Sequence, residues 1–218
     1  MTANRKRTQT ARRLRLWWTL GNRHTRRQLG TVEDWKTRGV FWFGALTVGL
    51  VIQSFAWLSE ESFSITQHVF DRYPYAFLVI TPFGLMAIVW VMNLGGKAAR
   101  GSGIPQVLLA HKQSYHWLRG PFLSLRVAIL KVLLTCAGLL VGATVGREGP
   151  SVHVGAALMY KFGTWAKLKQ RQVESSLIVA GGAAGVSAAF NAPLAGIVFA
   201  IEELQQSIDA LRAWLAER

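Results

Sequence analysis

Long apolar runs separated by short segments rich in glycine, proline and charge restrict this chain more than any other feature. Gly39 to Leu58 carries no charge, and Pro74 to Leu94 and Pro121 to Val145 are apolar over similar lengths. A helix needs roughly 20 apolar residues to cross the hydrocarbon core. With 51% hydrophobic and 17% charged residues, nine Trp and 11 Phe, the composition suits contact with lipid. The expected fold is all-α: a polytopic membrane protein of tilted and broken helices. The 218 residues suffice for one domain or a modest bundle.

Charge is placed unevenly. Residues 1–38 hold 11 Lys/Arg against Glu33 and Asp34, so +9 of the net +14 lies there. Such an arm could bind nucleic acid. Beside apolar spans it is better read as a basic segment held to anionic headgroups, with residues 5–30 forming an interfacial helix on the cytoplasmic face. We divide the chain into this basic N-terminal segment (1–38), a transmembrane domain (39–204) and a polar tail (205–218). The expected location is a bacterial inner (plasma) membrane with the N-terminus cytoplasmic and no nucleic-acid partner.

In chain order, Gly39 to Leu58 is the first span, with Trp42 and Trp57 near its ends. Residues 59–73 read as an outer loop, and Pro74 to Leu94 as a second span that Pro82 kinks. Val107 to Ala110 is too short to cross and reads as a partial helix after Gly101-Ser102-Gly103-Ile104-Pro105. Ser102 could sit at a helix start aimed at an anion, although by spacing alone an ordinary turn is favoured. His111 and His116 lack the spacing and carboxylate company of a metal site, and Cys136, the single cysteine, reads as a packed hydrophobe.

Pro121 to Val145 forms the next span and contains Arg126 and Lys131. A lysine inside a membrane is costly and faces protein or water rather than lipid. Lys131 could raise the positive potential along an anion path, whereas Arg126 can snorkel. Gly138, Gly142 and Gly146 recur at the small-residue spacing that lets helices approach. Then comes Gly146-Arg147-Glu148-Gly149-Pro150, two charges between apolar segments. Glycine frees the backbone and proline suits a first helical turn, so a helix restarts near Gly149 with its positive dipole end beside Glu148. Broken helices at membrane depth are tolerated where they line a cavity. Glu148 is either a gate on an anion path or the partner of Arg147 in an interfacial loop; the pentapeptide supports both equally.

Ser151 to Trp165 follows as a helix in which His153 reads as packed. Val173 to Ala189 is a small-residue helix, Phe190 to Pro193 breaks it, and Leu194 to Leu204 begins another. Glu202 and Glu203 at its end are a proton site or, by pattern alone, a solvated terminus.

Three motifs, GSGIP at 101–105, GREGP at 146–150 and GGAAGVSAAFNAPLAGIVFAIEEL at 181–204, stand in order on these spans. Together they closely resemble the CLC family of chloride channels and chloride/proton antiporters, over roughly residues 40–205. The resemblance implies the first half of an inverted-repeat fold, with homodimers whose subunits each hold an ion path. It implies a chloride site at Ser102, Gly103, Ile104 and Gly149, with Glu148 as the external gate that competes with chloride when ionised and carries a proton when neutral. Arg147 and Lys131 would shape the electrostatics of the path. The internal proton glutamate falls on Glu203, with Glu202 in reserve, and its presence favours an antiporter over a channel. Burial and nearby anions would raise the Glu148 pKa into a useful range. Chloride and protons are the transported ions, and no cofactor, metal or enzymatic activity is implied.

The family pattern also has a second half with a GxFxP-type loop and a late tyrosine, which this sequence lacks. The chain is therefore expected to be an incomplete half that does not transport chloride alone. The alternatives are a chloride channel, or a non-transporting membrane protein that associates with partner chains. An intramembrane enzyme is disfavoured, because no HExxH, serine-protease pairing or nucleotide loop occurs.

Overall fold

The computed structural model describes residues 32–94, 97–111, 117, 119–168 and 170–202. The expectations for residues 5–30, His116, Glu203 and the tail 205–218 lie outside these. The chain falls into two units, Met1–Gly39 and Val40–Arg218. Among the described residues all regular structure is helical. Four helices are long and apolar enough to span a membrane: Trp35–Arg72, Pro74–Leu94, Arg119–Leu140 and Gln172–Phe190.

Helix α1 (Val32–Arg72) runs for 41 residues, so the outer loop expected over 59–73 is instead helix. The reason is local. No glycine or proline occurs between Gly49 and Pro74. The hydroxyls of Ser59, Ser62 and Thr66, which could have favoured a turn, bond to the carbonyls four residues back. The helix stops at Tyr73, and Pro74 opens a 3₁₀ turn over Pro74–Ala76. Helix α2 (Phe77–Leu94) follows with Pro82 inside it and buries none of its residues.

Helix α3 (Ile104–His111) and the four-residue α4 (Arg119–Phe122) precede α5 (Leu125–Leu140). The continuous span expected from Pro121 to Val145 is thus broken twice. Ser124 adopts extended backbone and its hydroxyl accepts from the Val127 N–H, capping α5. At the other end Gly142 takes φ +81°, and paired bonds from Gly142 to Leu139 and from Ala143 to Gly138 close the last turn. The 138/142/146 glycine spacing is therefore not a helix-packing face. Gly142 ends the helix and Gly146 lies beyond it. Carbonyls at the end of α5 are received by neighbours: the Thr66 hydroxyl shares its one proton between Ser62 O at 3.0 Å and Leu139 O at 2.8 Å, and Thr81 Oγ1 donates to the O of Val141, the capping residue, at 2.6 Å.

Helix α6 (Glu148–Trp165) packs against α7 (Arg171–Phe190) with backbones nearly touching. A Cβ on Gly155 would stand 2.2 Å from Gly181 O, and one on Gly185 would stand 2.5 Å from Ser151 O. Residue numbers rise along one helix as they fall along the other, so the pair is antiparallel. Val152, Ala156 and Met159 of α6, Leu177 and Ile178 of α7, and Val48 and Ile52 of α1 form the core. Asn191, at φ +50°, breaks the chain as expected, and Pro193 opens α8 (Pro193–Glu202).

A buried ion pair ties α3 and α4 to α7. Arg119 is 1% exposed; its Nη1 lies 2.8 Å from Glu174 Oε2 and its Nε donates to Ala110 O. Beside it Ser175 Oγ contacts both His111 Nδ1 and His111 O.

Candidate functional site

Two chain breaks 45 residues apart meet in space. Gly101 (φ +73°) and Gly103 (φ +104°) hold backbone shapes that disfavour a side chain, and they turn the chain into α3, whose first turn contains Pro105. At the second break Arg147 precedes α6, and its carbonyl accepts from the Ser151 N–H and hydroxyl. Here only glycines fit. A Cβ on Gly149 would stand 2.6 Å from Ser102 O and 2.9 Å from Ser102 Cβ. One on Gly103 would stand 2.7 Å from His153 Cβ, 3.0 Å from Lys131 Nζ and 3.1 Å from Gly149 O. Ser102, Gly103 and Gly149 are therefore brought together, with Ile104 the first residue of α3. The turn at 101–105, for which an ordinary turn was favoured by spacing, is packed directly on the GREGP break.

Lys131 lies beneath this contact, 3% exposed, and its Nζ donates to Gly101 O at 3.2 Å. A buried ammonium adds to the partial positive charge at the two helix starts. His153 is fully buried beside it. Its Nε2 lies 3.0 Å from Phe122 O, which can only accept, so Nε2 carries the proton, while Nδ1 has no hydrogen-bond partner among the described residues. The packed reading of His153 holds, yet its place directly against Gly103 was missed. The sequence signal was a polar residue in the second turn of a helix whose neighbours are apolar.

Two expectations need correction. Glu148 is exposed rather than buried, and its carboxylate turns back over Gly146, where a Cβ would stand 2.6 Å from Oε2. Arg147 pairs not with Glu148 but with Glu60 of α1, Nη1 to Oε1 at 2.8 Å. This pair sits beside a groove of about 380 Å³ bounded by α1 and the break. Of the two C-terminal glutamates, Glu202 is exposed at the end of α8. Among the described residues no three His, Cys, Asp or Glu side chains are grouped to hold a metal ion.

The site thus presents a cationic floor under two helix starts, an exposed serine, and an exposed carboxylate beside them. A profile of the family described as voltage gated chloride channel matches residues 83–216, which takes in α3 to α8 and both breaks. More than half of the sequence is covered, and with its apolar helices this integral membrane protein belongs to the voltage gated chloride channel family, which moves chloride across membranes.

Proposed function

We propose that this chain takes part in chloride/proton exchange, with the contact between residues 101–105 and 146–150 as its chloride berth and Glu148 as its gate. The observation that supports this most is the approach of Ser102 to Gly149, which sets two helix starts side by side above Lys131. Chloride is weakly hydrated, and such ends can replace its water without trapping it. Ser102, Gly103, Ile104 and Gly149 would line the ion. Glu148, one residue before Gly149, would compete for the same positive field when ionised and vacate it when protonated. Occupancy and protonation are then coupled by competition.

Ser102 and Glu148 are both exposed, so the berth is a half-shell. In this proposal another repeat or chain supplies the opposite wall, and the working unit is a dimer. Glu203, or Glu202, would pass protons from the cytoplasmic side, and Lys131 and Arg147 would tune the field. A channel is the second reading: Glu202 is exposed and forms no ion pair among the described residues, as expected of a merely solvated terminus.

Proteoliposome efflux tests the proposal. The isolated chain is expected to give no chloride flux. Reconstituted with a chain bearing the opposite wall, it should give chloride efflux with proton counterflow, and Glu148→Ala should abolish the proton movement. Efflux without proton movement would establish the channel instead. Robust flux from the isolated chain that Glu148→Ala abolishes would overturn the need for a second wall.

A further inference from the structure

A second recess lies away from the chloride berth, between α1, α5 and α6. It encloses about 270 Å³ and is walled by Val51, Phe55 and Leu58, by Ile129 and Leu133, and by Leu158. The one hydroxyl among its lining residues, that of Ser54, is already donated to Leu50 O. Apolar space of this kind stays dry and takes up hydrocarbon; an engineered cavity of about 150 Å³ holds benzene. The recess is open at Ile129 and Leu133, which are 60% and 55% exposed in a helix that crosses the membrane.

Arg126 follows Leu125, itself a wall residue of the recess. It occupies the first turn of α5, and the spacing 126, 129, 133 places it on the same stripe as the two exposed wall residues. Its side chain is exposed and has no ion pair or hydrogen bond among the described residues. An unpaired guanidinium at a helix start, one turn from an open hydrocarbon slot, matches a phosphate head with an acyl tail. We infer that this recess binds an anionic phospholipid, with one acyl chain between α1 and α5 and the headgroup phosphate on Arg126.

Native mass spectrometry of the full chain, extracted from vesicles of equal phosphatidylglycerol and phosphatidylcholine, tests this. Phosphatidylglycerol should be retained roughly tenfold over phosphatidylcholine, a preference of about 1.4 kcal/mol. Arg126→Gln should lose the preference, Arg126→Lys should keep part of it, and Ser54→Phe, which fills the slot from an exposed position, should lower retention of both lipids. Ile129 replaced by the photo-crosslinking amino acid benzoylphenylalanine should capture lipid. Equal retention of the two lipids by the unmodified chain, an unchanged preference in Arg126→Gln, or capture of polypeptide rather than lipid would each overturn the assignment.

Discussion

Helices α2 and α6 are both 18 residues long, yet they sit in opposite surroundings. The α2 segment has a mean hydropathy of 2.1 and buries nothing, with Phe83 and Met86 about two-thirds exposed. In α6, which carries Ser151, His153 and three glycines, 11 residues are buried. In water this order would be reversed. Lipid is as apolar as leucine, so the interior of a membrane protein is selected for close approach and polar pairing rather than hydrophobicity. Of these two helices it is α6, the less hydrophobic, that carries residues of the candidate site.

The sharpest way to break this contrast is to add volume where α6 meets α7. Gly155→Val would drive a side chain into the Gly181 carbonyl and is expected to cost about 3 kcal/mol or more, against at most about 0.5 kcal/mol for Phe83→Leu in α2. Reversible unfolding in mixed micelles measures both; similar costs would mean that α2 packs as tightly as α6. Next in size is Arg119→Ala, which strands Glu174 and opens the Ala110 carbonyl. Because Glu174 is 21% exposed, a loss near the lower end for a broken buried pair is expected, about 3 kcal/mol. Glu174→Gln, which keeps an acceptor, should lose less.

Smaller effects test how the lipid-facing helices attach to the interior. Thr81→Val removes the one described hydrogen bond from α2 to the end of α5 and should cost about 1 kcal/mol in the same assay. The smallest effect concerns acid. Burial, reinforced by the Arg119 charge and partly opposed by the hydrogen bond with Ser175, holds the His111 pKa below its usual 6.5. The unfolded chain therefore takes up the proton first, and the stability contributed by neutral His111 is full above pH 6.5 and declines as pH falls through that value. Unfolding at pH 7.5 and 5.5 should show a smaller acid loss in His111→Gln than in the unsubstituted chain.

Composition made the membrane spans legible, because a run such as Phe77 to Leu94 has no other stable solution. It misjudged lengths where side chains act on their own helix. Ser59, Ser62 and Thr66 look like loop residues until their hydroxyls are seen bonded one turn back. Gly142 was legible as a glycine of consequence but not as a helix end, since spacing does not reveal φ. The meeting of Ser102 with Gly149 was visible only through the family resemblance, because no local rule joins residues so far apart. Arg119 was illegible for the same reason, its partner being 55 residues away.

At Gly149 main chain rests on the main chain of Ser102, and Gly103 is closed in by His153, Lys131 and the Gly149 carbonyl, with no gap that even a methyl group could occupy. Mutational drift can retouch the walls around that seam but can add nothing at either glycine. Ser102 is exposed at that seam, so an exchange there would alter what faces the opening and leave the meeting of the two segments as it is.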